Sequence, residues 1–75
     1  MNYIVMEIQK NKSDKIATLV TTHADIQDAR AKYHSILSAA AKSGLPLHGA
    51  LILEENGAQV ARECYEIEPE PNEEA

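Results

Sequence analysis

An amphipathic segment, residues 22–44, most constrains how this 75-residue chain can fold. Its apolar positions recur with helical spacing and form one stripe, typical of a helix that covers a flat apolar surface. Thr22 followed by Asp25 predicts a capping box at the start, and Gly44 predicts a left-handed cap at the end. The stripe consists of Ile26, Ala29, Tyr33, Ile36, Leu37 and Ala40.

The chain before this helix predicts a β-hairpin. Residues 3–9 and 16–21 are rich in β-branched and apolar side chains, and a polar turn separates them. A register that places Lys10 opposite Lys15 gives one strongly apolar face, with Ile4, Met6 and Ile8, and one half-apolar face. We therefore predict this register.

A second hairpin follows the helix. Residues 47–55 and 58–67 predict two strands, and Asn56-Gly57 between them is typical of a type I′ turn. Pairing Glu55 with Ala58 places Leu51 opposite Arg62. An arginine opposite a leucine indicates that the last strand lies at an edge of the sheet, where its stem covers apolar surface.

The element order predicts an α+β fold, a ββαββ two-layer sandwich in which one helix packs on one face of a four-stranded, mainly antiparallel sheet. The first and third strands are the most apolar, which favours the strand order 2-1-3-4. We expect a single domain at residues 1–67. Residues 68–75 combine glutamate and proline without a large apolar side chain, which predicts a disordered acidic tail.

The net charge of −5 comes from the last ten residues, which carry five glutamates, whereas the preceding body holds seven acidic and seven basic residues. A neutral body without clustered cations or stacking aromatics argues against nucleic-acid binding. A single cysteine, Cys64, excludes an internal disulfide and is typical of a reducing compartment. No leader-like start or membrane-spanning apolar run is present. We expect a cytoplasmic protein that does not bind membranes.

The residue types of catalytic and metal sites are present, but their spacing does not favour a site. His23 and His34 would lie about 16 Å apart along a helix, too far to share a metal ion. His48 and Cys64 should point to opposite faces of the sheet, and Cys64 should be a small buried side chain facing the helix. We predict no catalytic residue, no metal, no cofactor and no enzyme activity.

The predicted sheet is apolar on both faces, although one helix covers only one. A contiguous apolar face is typical of an interface, either of a two-fold homodimer or with a protein partner; alternatively, these side chains only favour strand structure. His34 and His48 are either boundary residues or polar spots in such an interface. The predicted interface consists of Tyr3, Val5, Ile16, Val20, His48, Ala50, Ile52, Ala61 and Tyr65.

A set of residues in the helix and after it accompanies YIVMEIQ at the start, TLVTTH before the helix and the Glu/Pro-rich end. The set is Tyr33, His34, Leu37, Ala39, Ala40, Ala41, Ser43, Pro46 and His48. This pattern resembles a group of short ββαββ proteins from clostridia-like gut bacteria and their mobile elements. That group has no assigned activity, and the resemblance implies an accessory protein of mobile-element origin, including an inhibitor of a host protein.

Two functional hypotheses follow. The sequence favours a non-catalytic protein-interaction module that self-associates, or binds a protein partner, through the open sheet face. The alternative is a small inhibitor whose acidic tail engages a basic groove of a nucleic-acid-handling protein.

Overall fold

The computed structural model describes residues 1–66, which form one antiparallel four-stranded sheet and one helix. Neighbouring strands lie in the order β2-β1-β3-β4. The predicted α+β fold and its strand order are confirmed, whereas the predicted tail, residues 68–75, lies outside the described residues. In chain order the elements are β1 Tyr3–Lys10, β2 Ile16–His23, α1 Ile26–Ser43, β3 Leu47–Glu54 and β4 Gln59–Glu66.

Helix α1 begins later than its sequence pattern predicts. Asp25 is the N-cap, and its Oδ1 accepts a hydrogen bond from the backbone N–H of Gln27 at 2.8 Å. Thr22 belongs to β2, so the predicted capping box does not form and Asp25 caps the helix alone. At the other end Gly44 has a φ of 70°, which confirms the predicted left-handed cap.

The β1–β2 hairpin pairs one residue away from the predicted register. Lys10 lies opposite Ile16, and Asn11 and Lys15 close a three-residue loop by a 3.0 Å backbone hydrogen bond. Asp14, the last residue of the loop, has a φ of 68°, and its N–H donates to the Asn11 carbonyl at 2.9 Å. A loop of this type fixes the register by its own geometry, and a shift of one residue moves every β2 side chain to the other face.

The β3–β4 hairpin ends in the same kind of loop and not in the predicted type I′ turn. The N–H of Gly57 donates to the Glu54 carbonyl at 2.8 Å, and Gly57 has a φ of 94° while Asn56 keeps a negative φ. Near this loop the pairing differs by one residue from the prediction. A β-bulge at Val60 absorbs the difference, so the predicted register is confirmed from Ile52 back to the start of β3.

Helix α1 covers the sheet face that was predicted to be open. Its predicted stripe is confirmed, but the sheet residues packed against it are Val5, Ala50 and Ile52, of which Val5 is 1% and Ile52 0% exposed. Strands β2 and β3 run parallel on either side of β1, so β2–α1–β3 is a crossover connection. Such a connection is almost always right-handed, which selects the side for the helix regardless of which face is more apolar.

The two hairpin loops provide a matched test of their left-handed residues. We expect Asp14→Gly to raise the free energy of unfolding by about 0.5 kcal/mol and Gly57→Ala to lower it by about 1 kcal/mol. An added Cβ at Gly57 would meet no atom within 4 Å, so the loss would come from backbone conformation alone. Urea unfolding measures both changes, and a loss at Asp14→Gly would show that its side chain matters more than its backbone.

Candidate functional site

The sheet face opposite α1 carries large apolar side chains on three of the four strands. Within residues 1–66, no helix or strand packs on this side. On β1 and β3 these side chains are half-buried, and on β2 they are exposed. We call this surface the open face; by strand alternation and register it consists of Ile4, Met6, Ile8, Ile16, Val20, Leu47, Leu51 and Leu53.

Charged side chains lie only at the margins of the open face. Lys10 lies at the end of β1, and Arg62 and Glu66 lie on the edge strand β4, opposite Leu51 and Leu47 respectively. Four strands of eight residues span an area of about 26 by 19 Å, so two stacked faces bury roughly 1,000 Å². An apolar centre with a polar rim is typical of a protein–protein interface, and this area reaches the lower bound of about 1,000 Å² for a specific one.

The nine residues predicted to form the interface do not share one surface. Four of them are buried on the helix side of the sheet, and two more, Tyr3 and Ala61, pack against the core. Tyr65 is exposed on the helix side, opposite His48. Only Ile16 and Val20 belong to the open face, because the shift in register and the side taken by α1 place the other seven elsewhere. The four buried residues are Val5, His48, Ala50 and Ile52.

Cys64 borders the open face and does not face the helix, which corrects the prediction for its side chain. It lies opposite Gly49 on β3, one position from the His48–Tyr65 pair, so His48 and Cys64 point to opposite faces as predicted. A Cβ at Gly49 would lie 2.9 Å from the Cys64 Cβ and 2.7 Å from the Glu63 carbonyl oxygen. The backbones of β3 and β4 therefore approach too closely here for any larger residue.

Three polar side chains meet on the helix side of the sheet, in a cluster that the sequence did not predict. Nε2 of His48 donates to Oε2 of Glu7 at 2.6 Å, and Nε2 of Gln9 donates to the same oxygen at 2.8 Å. The His48 side chain is 5% exposed and that of Glu7 is 15% exposed. The β1–β3 pairing of Gln9 with His48 brings them together, so the cluster depends on a register that spans 39 residues of chain.

The remaining nitrogen of His48, Nδ1, is buried and has no hydrogen-bond partner among the residues described. Beside the cluster, Glu7 and Gln9 also line a shallow cavity of about 120 Å³, together with residues 17–19 of β2. Residues 1–66 contain no group of three or more His, Cys, Asp or Glu side chains that could hold a metal ion. The arrangement is that of a hydrogen-bonded pair of side chains that links β1 to β3.

Glu7 is held as a carboxylate by its neighbours. Burial raises the pKa of Glu7, but hydrogen bonds from His48 and Gln9, with the electrostatic interactions of His48 and Lys32, outweigh burial and lower the pKa below the usual 4.5. His34, the other histidine considered for an interface, is exposed on α1 and meets the Tyr33 ring edge-on, with 5.3 Å between ring centroids. The two histidines thus lie in different environments.

Comparisons with known protein families, curated proteins and solved structures found no match. In the described part of the chain, α1 lacks the length and apolar character needed to cross a membrane. A function for this chain must therefore be inferred from the geometry of the open face and of the Glu7–His48 cluster.

We expect Glu7→Gln to lower the free energy of unfolding at neutral pH by about 1–3 kcal/mol, because it weakens a charge-assisted hydrogen bond to His48. The folded-state pKa of Glu7 lies below the unfolded value of 4.5, so its contribution is complete above pH 4.5 and is lost as the pH falls through the folded-state value. The stability difference between wild type and Glu7→Gln should therefore shrink on acidification.

Urea unfolding at several pH values measures this difference. Glu63→Gln is the matched control, since Glu63 is an exposed carboxylate on the same side of the sheet and lies outside the cluster. A Glu7→Gln difference that stays constant down to the acid limit would contradict the assigned role.

Proposed function

We propose that the protein is a non-catalytic interaction module that self-associates through the open face, with a second copy of the chain as the occupant. The observation that carries the proposal is the set of eight large apolar side chains, uninterrupted by charge at its centre, on the side of the sheet that α1 does not cover. A contiguous apolar surface of this kind on a small domain is typical of an interface.

The thinness of the core supports a second copy as the occupant. Three of the seven buried apolar residues are alanines, two on the helix and one on β3, so the core between α1 and the sheet holds few large side chains. A chain of this size also buries only about 60% of the surface it exposes when unfolded. Stacking two sheets face to face, about 10 Å apart, would add a second apolar layer to each copy.

Symmetry supports the same occupant. A two-fold axis between the stacked sheets places the same apolar side chains on both sides of the interface, so no complementary surface is needed elsewhere on the chain. The charged margin, Lys10, Arg62 and Glu66, then remains at the rim, where water can solvate it.

Met6→Lys tests this interface. Met6 lies at the centre of the open face, between Val20 and Leu51, and lysine keeps an unbranched stem of similar length but adds a charge that stacking would bury. We expect the molar mass of the assembly, measured by light scattering after size-exclusion chromatography at high micromolar concentration, to fall to half that of wild type. Circular dichroism should show an unchanged fold.

Two further variants control for added charge and for damage to the core. Ser38→Lys adds the same charge on the exposed side of α1 and should leave the molar mass unchanged. Ile52→Asp, one position along β3 from Leu51, places a charge beneath the helix and should unfold the domain. Equal masses for wild type and Met6→Lys would refute the open-face interface.

Removal of residues 68–75 tests whether the acidic tail, which the alternative hypothesis assigns to a different partner, contributes to self-association. We expect the truncated chain to keep the molar mass of the full-length assembly, because every open-face residue lies before residue 54. A truncated chain with half the mass would assign self-association to the tail. The inhibitor role, the mobile-element origin and the cytoplasmic location stay predictions from the sequence.

A further inference from the structure

Strand β2 is an edge strand that lacks the features by which proteins usually protect a sheet edge. Its sequence, IATLVTTH, has no lysine, arginine, carboxylate or proline, and it pairs with β1 over eight successive residues without a bulge. The other edge strand, β4, carries Arg62, Glu63 and Glu66 and has a bulge at Val60. Charges and bulges of that kind prevent edge-to-edge pairing, so of the two edges formed by residues 1–66 the β2 edge is the one open to another strand.

Large apolar side chains are exposed on both sides of β2, which indicates that a partner strand lies in the plane of the sheet. Ile16, Leu19 and Val20 are 66%, 55% and 50% exposed, which places three of the five exposed large apolar residues of the described chain on this strand. Ile16 and Val20 point to the open face, whereas Leu19 points to the helix side. A partner stacked on one face would bury only one of these groups, but a strand added in the plane of the sheet contacts both.

We propose that β2 pairs antiparallel with β2 of a second copy, so that two four-stranded sheets join into one continuous eight-stranded sheet. The two copies are related by a two-fold axis perpendicular to the sheet, which keeps both helices on the same side. Self-pairing of this strand opposes no like charges, and with Val20 opposite its own copy it pairs threonine with threonine and valine with valine, which stabilise cross-strand contacts.

The charges that flank β2 support a second copy as its partner and select the register. Lys15 precedes the strand and Asp25 follows it. Antiparallel self-pairing brings the start of one strand to the end of the other. The register with Val20 opposite its own copy therefore brings the strand end at Lys15 near the strand end at Asp25 of the second copy, twice by symmetry. Thr18 then lies opposite Thr22, and Leu19 lies opposite Thr21.

This edge interface is separate from the open face and compatible with it. The two-fold axis at the edge is perpendicular to the sheet, and the axis of face-to-face stacking lies between the sheets, so the two axes can intersect at right angles. The two interfaces together then produce a closed assembly of four copies, in which two eight-stranded sheets stack.

Leu19→Lys tests the edge interface alone. Its side chain points away from the open face and is mostly exposed, so the substitution should leave the fold intact while placing a charge at the pairing edge. We expect the molar mass to fall to half that of wild type. Tyr65→Lys is the matched control, because Tyr65 is 41% exposed on the same side of the sheet but lies on β4, and its mass should equal that of wild type.

The outcomes distinguish the two interfaces. If both exist, wild type has the mass of four copies, and Leu19→Lys and Met6→Lys each have the mass of two. If only the edge interface exists, wild type has the mass of two copies and Leu19→Lys that of one, which supports the present proposal while refuting the open face. A Leu19→Lys protein with the wild-type mass would overturn the edge interface, and so would a monomeric wild type.

Crosslinking measures the pairing directly. In a Cys64→Ser background, a mixture of Leu19→Cys and Thr21→Cys proteins should form a disulfide-linked heterodimer on mild oxidation, because directly opposed residues lie within disulfide reach. Both side chains point to the helix side, so stacking of open faces cannot bring them together. Leu19→Cys alone should crosslink poorly, and efficient crosslinking of that protein with itself would overturn the proposed register.

Discussion

The left-handed backbone at Asp14 determines how β1 pairs with β2, and the character of both sheet faces follows from that pairing. The loop of residues 12–14 is closed by hydrogen bonds between Asn11 and both Asp14 and Lys15, so it cannot gain or lose a residue without losing them. The resulting register places Val20 beside Met6 and Thr21 beside Val5. Apolar β2 side chains therefore extend the open face, while the helix side of β2 is mixed.

A single helix then has to cover a sheet with four strands. Helix α1 packs mainly over β3 and least over β2, so the core is centred on Val5, Ala50 and Ile52. Beyond that centre the helix side becomes polar, and the Glu7–His48 pair occupies the region between β1 and β3. Within residues 1–66, neither the open face nor the β2 edge packs against another element, and a second copy of the chain is the occupant that we propose for both.

The elements and the strand order could be predicted because each rests on a strong local pattern, such as the helical stripe through Tyr33 and the alternation on β1. The face that the helix covers could not be predicted, because β1 carries apolar side chains on both sides. A hydrophobic pattern also does not indicate whether the crossover connection is right-handed or left-handed. The loop at Asp14 also lacks the glycine that marks its counterpart at Gly57. The polar cluster was missed because Glu7 and His48 meet only after the β1–β3 register is fixed.

The inner position of β1 has a consequence for the order of folding. As the chain leaves the ribosome, the β1–β2 hairpin and α1 can form from local contacts, but β1 keeps an unpaired inner edge until β3, more than thirty residues later, reaches it. During this interval the nascent hairpin exposes both of its edges. Closure of the sheet by β3 protects the β1 edge of the hairpin, so only its β2 edge, the one that we propose pairs with a second copy, stays unpaired.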